Sequence, residues 1–269
     1  MKQETLTRIR GKNIYTTQFN SISEMVKHCD TAAVNEKIFT ECESITGNKS
    51  FTMTNNFNEA RQLLQQGWTE GSTKLNKTLK LANATIQTKE VKRTIYDVVG
   101  FQASVPRYLQ GIPTSMVNTK TVKKNAKIIN LYKSICYSQG VSAQRIVDDS
   151  VKFLQIVQAI EKKGIRVNVY AVFHAEKQKE QMFITMKIKA ANERLNISKM
   201  SFPLMHPSFL RRFIFRAMEC EMRIKNDWSK GYGRPVNNDE TIKLLEGKGY
   251  YIPVLISDDK AISIVDNIK

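Results

Sequence analysis

A chain of 269 residues, 41% of them hydrophobic, is long enough to bury one large core or one core with a substantial N-terminal extension. Its 42 basic and 25 acidic residues leave a net charge of +17, which argues against an acidic partner surface of its own and for polyanionic partners. No apolar run nears the ~18 residues of a membrane span, and the polar start MKQETLTRIRGKN has no apolar signal segment, so no membrane is expected and residence in the cytoplasm is.

The first 50 residues mix short periodic pieces with polar turns and assign little. In NNFNEARQLLQQGW, Asn55 or Asn56 can cap a helix in which Phe57, Ala60, Leu63 and Leu64 recur at helical spacing, and Gly67 breaks it. Trp68 reads as a packing anchor rather than a base-stacking residue. Lys74, Lys77 and Lys80 lie three apart on a second helix. DVVGFQASVPRYLQGIPTSM, residues 97–116, carries two glycines and two prolines as loop punctuation. It is read as the link between a mainly helical N-terminal region, 1–118, and an α/β domain, 119–269.

From residue 127 the pattern is cleaner. A strand is expected over 127–135, followed by a helix that Ser142 caps. Ile146, Val147, Phe153, Leu154, Val157 and Ile160 form its apolar side, and Gly164 ends it. Asp148 and Asp149 are expected to complement the dipole of its first turns. Segments 165–174 and 182–190 alternate as strands and join through EKQKE as a hairpin, with Glu176 and Glu180 solvated in the turn. Pro207 opens a helix over 207–225. At about 100° per residue Phe209, Phe213, Ala217 and Cys220 share its packed face, and Arg212, Arg216 and Arg223 form a stripe beside it, with Glu219 among them. His206 reads as a turn or capping residue. A short helix in NDETIKLLEG and a strand over 251–256 follow. The order β-α-β-β-α-α-β predicts a three-layer α/β domain with a mostly parallel sheet and a β-hairpin at its edge.

NEARQLLQQGWTEG, DVVGFQASVPRYLQGIPTSM, VQAIEKKGIRVNVYAV and FPLMHPSFLRRFIFRAMECE together resemble an uncharacterised bacteriophage protein family with a von Willebrand factor A-like α/β region. The resemblance covers roughly residues 55–235, and it implies a phage origin and a fold without implying a reaction. Metal-binding von Willebrand factor A domains carry Asp-x-Ser-x-Ser after the first strand, where carboxylate and hydroxyls hold a divalent cation. Here NLYKSICYS places Tyr132, Lys133 and Ser134 there, which implies that the metal-dependent function is lost.

No catalytic constellation emerges from the residues. GSTK at 71–74 and GYGRP at 231–235 lack phosphate-loop spacing. Three isolated histidines make no zinc site, and no cofactor or metal is expected. Cys29, Cys42, Cys136 and Cys220 form no CxxC pair and read as reduced, mostly buried thiols, with Cys136 a small core residue.

The charge is unevenly placed. Residues 71–234 hold 30 basic against 11 acidic side chains, while 1–70 balance at 8 and 8. A non-enzymatic protein that binds nucleic acid, with single-stranded or opened DNA favoured because no helix-turn-helix or zinc finger is present, is the first expectation. Arg212, Arg216, Arg223, Lys123, Lys124, Lys187, Lys189 and Arg234 are the expected phosphate contacts, and Tyr170, Phe183 or Trp68 could stack on bases. The alternative is a von Willebrand factor A-type adaptor for a phage ATPase or polymerase.

Overall fold

The computed structural model describes residues 1–9, 11–39, 42–79, 90–123, 127–138, 140–225 and 231–268. The chain opens with an antiparallel hairpin, β1 (Lys2–Ile9) and β2 (Lys12–Phe19), turned at Gly11, whose φ of +78° suits glycine. Five short helices follow: α1 (Ile22–Thr31), α2 (Glu43–Thr46), α3 (Lys49–Thr52), α4 (Phe57–Gln66) and α5 (Thr69–Leu79). Side-chain caps set three of these starts. Ser21, Asn48 and Asn56 accept from the backbone N–H groups of Glu24, Phe51 and Glu59. Asn56 is thus the cap of the helix that the FNEARQLLQQ pattern predicted, and Ala60 and Leu64 are its buried residues.

The segment read as a linker is instead a small antiparallel sheet. It comprises β3 (Glu90–Asp97), β4 (Gln102–Ala103) and β5 (Met116–Lys123), with helix α6 (Val105–Leu109) between the last two. β6 (Ile128–Ser134), α7 (Ala143–Lys162), β7 (Arg166–Lys177) and β8 (Glu180–Lys189) then appear where the alternation placed them. Ser142 caps α7 by accepting from the N–H of Arg145, and Gly164 follows its end at φ +82°. Next come α8 (Ile197–Met205), a π-helical stretch at Phe209–Ile214 that runs into α9 (Phe215–Glu219), β9 (Arg234–Pro235), α10 (Asn238–Leu245), β10 (Tyr250–Ile252) and α11 (Asp258–Asn267).

The main sheet has seven strands in the order β1-β2-β8-β7-β6-β10, with β9 beside the far end of β7. It is mixed rather than mostly parallel. β2 with β8, β6 with β7, and β6 with β10 are parallel, whereas β1 with β2, β7 with β8, and β7 with β9 are antiparallel. The β7–β8 hairpin lies inside the sheet and not at its edge, because the N-terminal hairpin extends the sheet beyond β8. The N-terminal region is therefore not simply helical. It supplies two strands, and Phe19, Met25, Ala60, Leu64 and Leu75 join the same core as α7, β7 and β8. On the sheet's other face a smaller cluster gathers Ile14, Tyr132, Tyr170, Val172, Phe183, Leu244 and Leu245.

Burial on both faces explains why β7 and β8 read so strongly as strands. It also reassigns several polar residues. Glu180 is buried, accepting from the Tyr15 hydroxyl at 3.0 Å, and Glu176 pairs with Lys12, so neither is a solvated turn residue. Asp149 sits in the second turn of α7, but it is spent on partners outside the helix. Its carboxylate is buried and accepts from Lys133 Nζ at 2.6 Å, the Tyr137 hydroxyl at 2.7 Å and the Ile256 N–H at 3.1 Å, which ties β6 and α7 to the segment after β10. Lys133 also donates to the Pro253 carbonyl at 2.7 Å.

His206 is the C-cap residue of α8, stacked on Phe202 with the edge of Trp68 against it, and its Nδ1 accepts from the Ser208 N–H at 3.2 Å. His174 is buried between Thr241 and Gln181. Burial lowers both imidazoles to about 4. Both are neutral in the fold, whereas an unfolded histidine titrates near its ordinary value of about 6.5. The unfolded chain then binds more protons as pH falls from 6.5 towards 4, so stability present above about pH 6.5 is lost through that window. Each histidine is expected to cost about 2–3 kcal/mol by pH 4.5. Thermal melts from pH 7.5 to 4.5 check this. A flat Tm across the window would contradict it, and His174→Gln should reduce the slope.

Candidate nucleic-acid interface

The arginine stripe expected on the helix after Pro207 does not exist as a surface. Two physical facts remove it. The first is that residues 209–214 are π-helical, so their i→i+5 hydrogen bonds open the turn and the 100° wheel no longer describes which way each residue faces. The second is that α2 and α3 cover the side of this helix turned away from the main core. Arg212 is 0% exposed. Its guanidinium donates to the carbonyls of Ser44 (2.8 Å), Ile45 (3.0 Å), Gly47 (2.8 Å) and Thr54 (3.0 Å), and to the hydroxyls of Thr52 and Thr54. Three of these carbonyls lie at the C-terminal end of α2, where helical backbone lacks its own donors and carries partial negative charge. Arg212 is thus an internal clamp, not a phosphate ligand.

The neighbouring arginines are engaged in the same way. Arg216 is part-buried, donates to the Cys29 carbonyl at 3.3 Å and lies 3.7 Å from Glu219. Glu219 is itself buried and accepts from the Ser44 N–H and the Tyr232 hydroxyl. Arg223 falls beyond the helix, which ends at Glu219. It pairs with Glu221 and donates to the carbonyls of Glu4 and Thr16, fastening β1 and β2.

The remaining expected contacts divide. Lys189 is 2% exposed and paired with Glu161 at 2.7 Å, so it is structural. Lys187 is half-buried with its ammonium 5.4 Å from the Tyr170 ring centre. Tyr170 and Phe183 are buried in the smaller cluster and cannot stack on bases, and Trp68 is the packing anchor that the sequence suggested. Lys123 ends β5, where the register sets it opposite Glu90, and Lys124 lies outside the described residues. Arg234 is exposed on β9. It lines a cleft of about 770 Å³ at the carboxyl end of β6, beside Tyr137, Ser138, Arg211 and Tyr232, with Glu43 the one carboxylate among the described lining residues. The carboxyl ends of parallel strands are where α/β sheets hold ligands.

The element that sequence reasoning missed is the arm built from β3, β4, α6 and β5. Among the described residues none between Leu75 and Ile129 belongs to either apolar cluster. Residues 89–127 hold eight basic residues (Lys89, Lys92, Arg93, Arg107, Lys120, Lys123, Lys124 and Lys127) against Glu90 and Asp97, and the ribbon register sets Arg93 opposite Lys120. At its end, Val98, Val99, Phe101, Val105, Tyr108 and Leu109 are all more than 60% exposed. Apolar residues inside a segment punctuated as a loop were the available signal, since a linker has no use for them.

A family model matches residues 2–269, which takes in the arm and the whole sheet. The chain belongs to the family described as Domain of unknown function (DUF7192). No curated protein and no solved structure matches it. The residues matched by DUF7192 take in the segment expected to be a linker, so the arm lies within the bounds of the family match. Among the described residues no cluster of His, Cys, Asp or Glu has the makings of a metal site, and no helix is long and apolar enough to cross a membrane.

Proposed function

We propose that this protein is a non-enzymatic nucleic-acid-binding accessory protein of phage origin, which holds single-stranded or opened DNA in the host cytoplasm and assists phage transcription or replication. The observation that carries the reading is the arm. Residues 89–127 carry eight basic residues against two acidic ones, and among the described residues this segment contributes nothing to either apolar cluster. A two-stranded ribbon of eight residues per strand is roughly 27 Å long, enough to follow several phosphates. Exposed Arg234 adds a second contact.

Each neutralised phosphate releases condensed counterions, so log affinity for a single strand falls against log salt with a slope of roughly −0.7 per contact. About five contacts give a slope near −3.5. Fluorescence anisotropy at several salt concentrations is expected to show such a slope, and Lys120→Gln with Lys123→Gln is expected to flatten it by about 1.4. Arg212→Ala should act instead through stability. Absence of binding to any single- or double-stranded DNA or RNA at ~50 mM salt defeats the reading.

A second reading has its own support. Within the main sheet, β6, β7, β8 and β10 stand in the order third-second-first-fourth, with the β7–β8 hairpin following the first crossover. That arrangement supports a von Willebrand factor A-like unit, and with it an adaptor for a phage ATPase or polymerase. Pull-down from infected cells separates the two, since partners of an adaptor persist after nuclease treatment.

A further inference from the structure

We infer that the end of the arm, Val98–Leu109, is a base-contacting wedge, with Phe101 and Tyr108 stacking on unpaired bases while the ribbon behind it holds the phosphates. This rests on the nucleic-acid reading and narrows it to single-stranded or locally opened substrate.

Phe101 is 67%, Tyr108 70% and Leu109 78% exposed, yet the backbone carrying them is tied by hydrogen bonds to the strand beside it. The Phe101 N–H donates to the Val117 carbonyl at 2.9 Å, and the Asn118 side-chain amide donates to the Val99 carbonyl at 3.0 Å. The Ser104 N–H reaches the Ser115 carbonyl at 2.7 Å, and Arg107 donates to the Thr114 carbonyl and hydroxyl. Gly100 packs so closely that a Cβ there would sit 2.2 Å from the Val117 carbonyl oxygen, so no other residue fits without moving the strand. A tip built this firmly presents its apolar side chains in fixed positions rather than fraying. Exposed apolar surface so placed marks a contact site.

Charge selects the occupant. From 98 to 115 the only charged residue is Arg107, whose guanidinium lies over the Tyr96 ring at 4.4 Å, and the basic residues are confined to the ribbon on either side. The sequence therefore sets basic residues along the two strands, and flat apolar groups are exposed at the end. A single strand is complementary to both, with anionic phosphates along its backbone and apolar base faces that an intact duplex keeps stacked away. Aromatic side chains stack on any base, and apolar wedges enter between base steps where a duplex is distorted. A protein partner with an apolar groove is the competing occupant, and the test includes it.

The experiment uses the full chain, a single-stranded oligodeoxynucleotide carrying 2-aminopurine, and the matching duplex, at ~50 mM salt. The expected result is tighter binding to the single strand, with a change in 2-aminopurine fluorescence. The triple variant Phe101→Ala, Tyr108→Ala, Leu109→Ala should keep the Tm, because all three residues are exposed. It should lose about 30-fold or more in single-strand affinity and lose the fluorescence change, while keeping the salt slope. Phe101→Trp with Tyr108→Trp should retain both. Single-strand affinity and fluorescence unchanged in the triple variant, with the unmodified chain binding well, overturns the wedge and leaves the nucleic-acid reading standing. Loss of self-association or of a nuclease-resistant protein partner in place of DNA affinity also overturns it. No binding by the unmodified chain defeats the underlying reading instead.

Discussion

Arg212→Lys is expected to lower the Tm by about 10 °C although it preserves the charge. The guanidinium makes six hydrogen bonds, to four carbonyls and two hydroxyls, in a space with no exposure to water. A lysine ammonium has three donors and no planar fork, so at least two or three acceptors at the end of α2 and beyond α3 lose their partner. Each buried acceptor left unpaired costs about 1–3 kcal/mol, which sums to about 3 kcal/mol or more. At roughly 2–4 °C per kcal/mol for a chain of this size the shift is near 10 °C. Arg212→Ala should be worse, because it also opens a cavity. Thermal melts at neutral pH check both, and a Tm within 2 °C of the unmodified protein would show that α2 and α3 do not depend on this clamp. Burial already presses the Arg212 pKa downward, which accords with a cation held by dipoles and not by a paired carboxylate.

The second large effect concerns Lys133 and Asp149. Both side chains are 1% exposed, and Asp149 also serves Tyr137 and the Ile256 backbone. Asp149→Ala leaves the ammonium with only the Pro253 carbonyl, and removing one partner of a buried pair costs about 3–5 kcal/mol. Lys133→Met alone strands a carboxylate and is expected to cost a similar amount. The double variant Lys133→Met, Asp149→Leu should recover most of either loss, because apolar replacement of a buried pair is often neutral. Chemical denaturation of the two single variants and the double variant measures this. A double variant as unstable as the sum of the singles would mean that the pair is not what joins β6 to α7. Burial depresses the Lys133 pKa while Asp149 opposes the fall, and loss of Asp149 should therefore lower it further.

What the sequence disclosed follows from how local each signal is. β6, α7, β7 and β8 were legible because their apolar residues repeat at period two or 3.6 and face a core on one or both sides. β1 and β2 were not. LTRIRGKNIYTTQF is too polar for a buried strand, and its partner β8 lies far along the chain, where local periodicity carries no information. The arm was hidden for the opposite reason. Glycine and proline in 97–116 do mark turns, yet those turns connect short strands instead of two domains.

The candidate site was the least legible part. Arginines between phenylalanines on a regular wheel imply an exposed stripe, and nothing local reveals that Ser44, Gly47 and Thr54 will close over Arg212. The net charge of +17 remains a property of the whole chain. It identifies a polyanion as the natural partner without choosing among the basic residues, since salt bridges and carbonyl clamps draw on the same residue types as phosphate contacts.

The pairing of β2 with β8 also sets an order of events during synthesis. Asn13 meets Glu180 and Phe19 meets Met186 in parallel register, so the β1–β2 hairpin has no seat in the sheet until β8 leaves the ribosome. At about 5–20 residues per second that wait is roughly 10–30 s. Loop closure over such a span is slow compared with hairpin formation, which takes microseconds. Through the interval β2 presents Ile14, Tyr15 and Phe19, all destined for burial, on an open strand edge. The nascent chain is then most exposed to aggregation and to holdase capture at β2, and β8 docking is the step that ends that exposure.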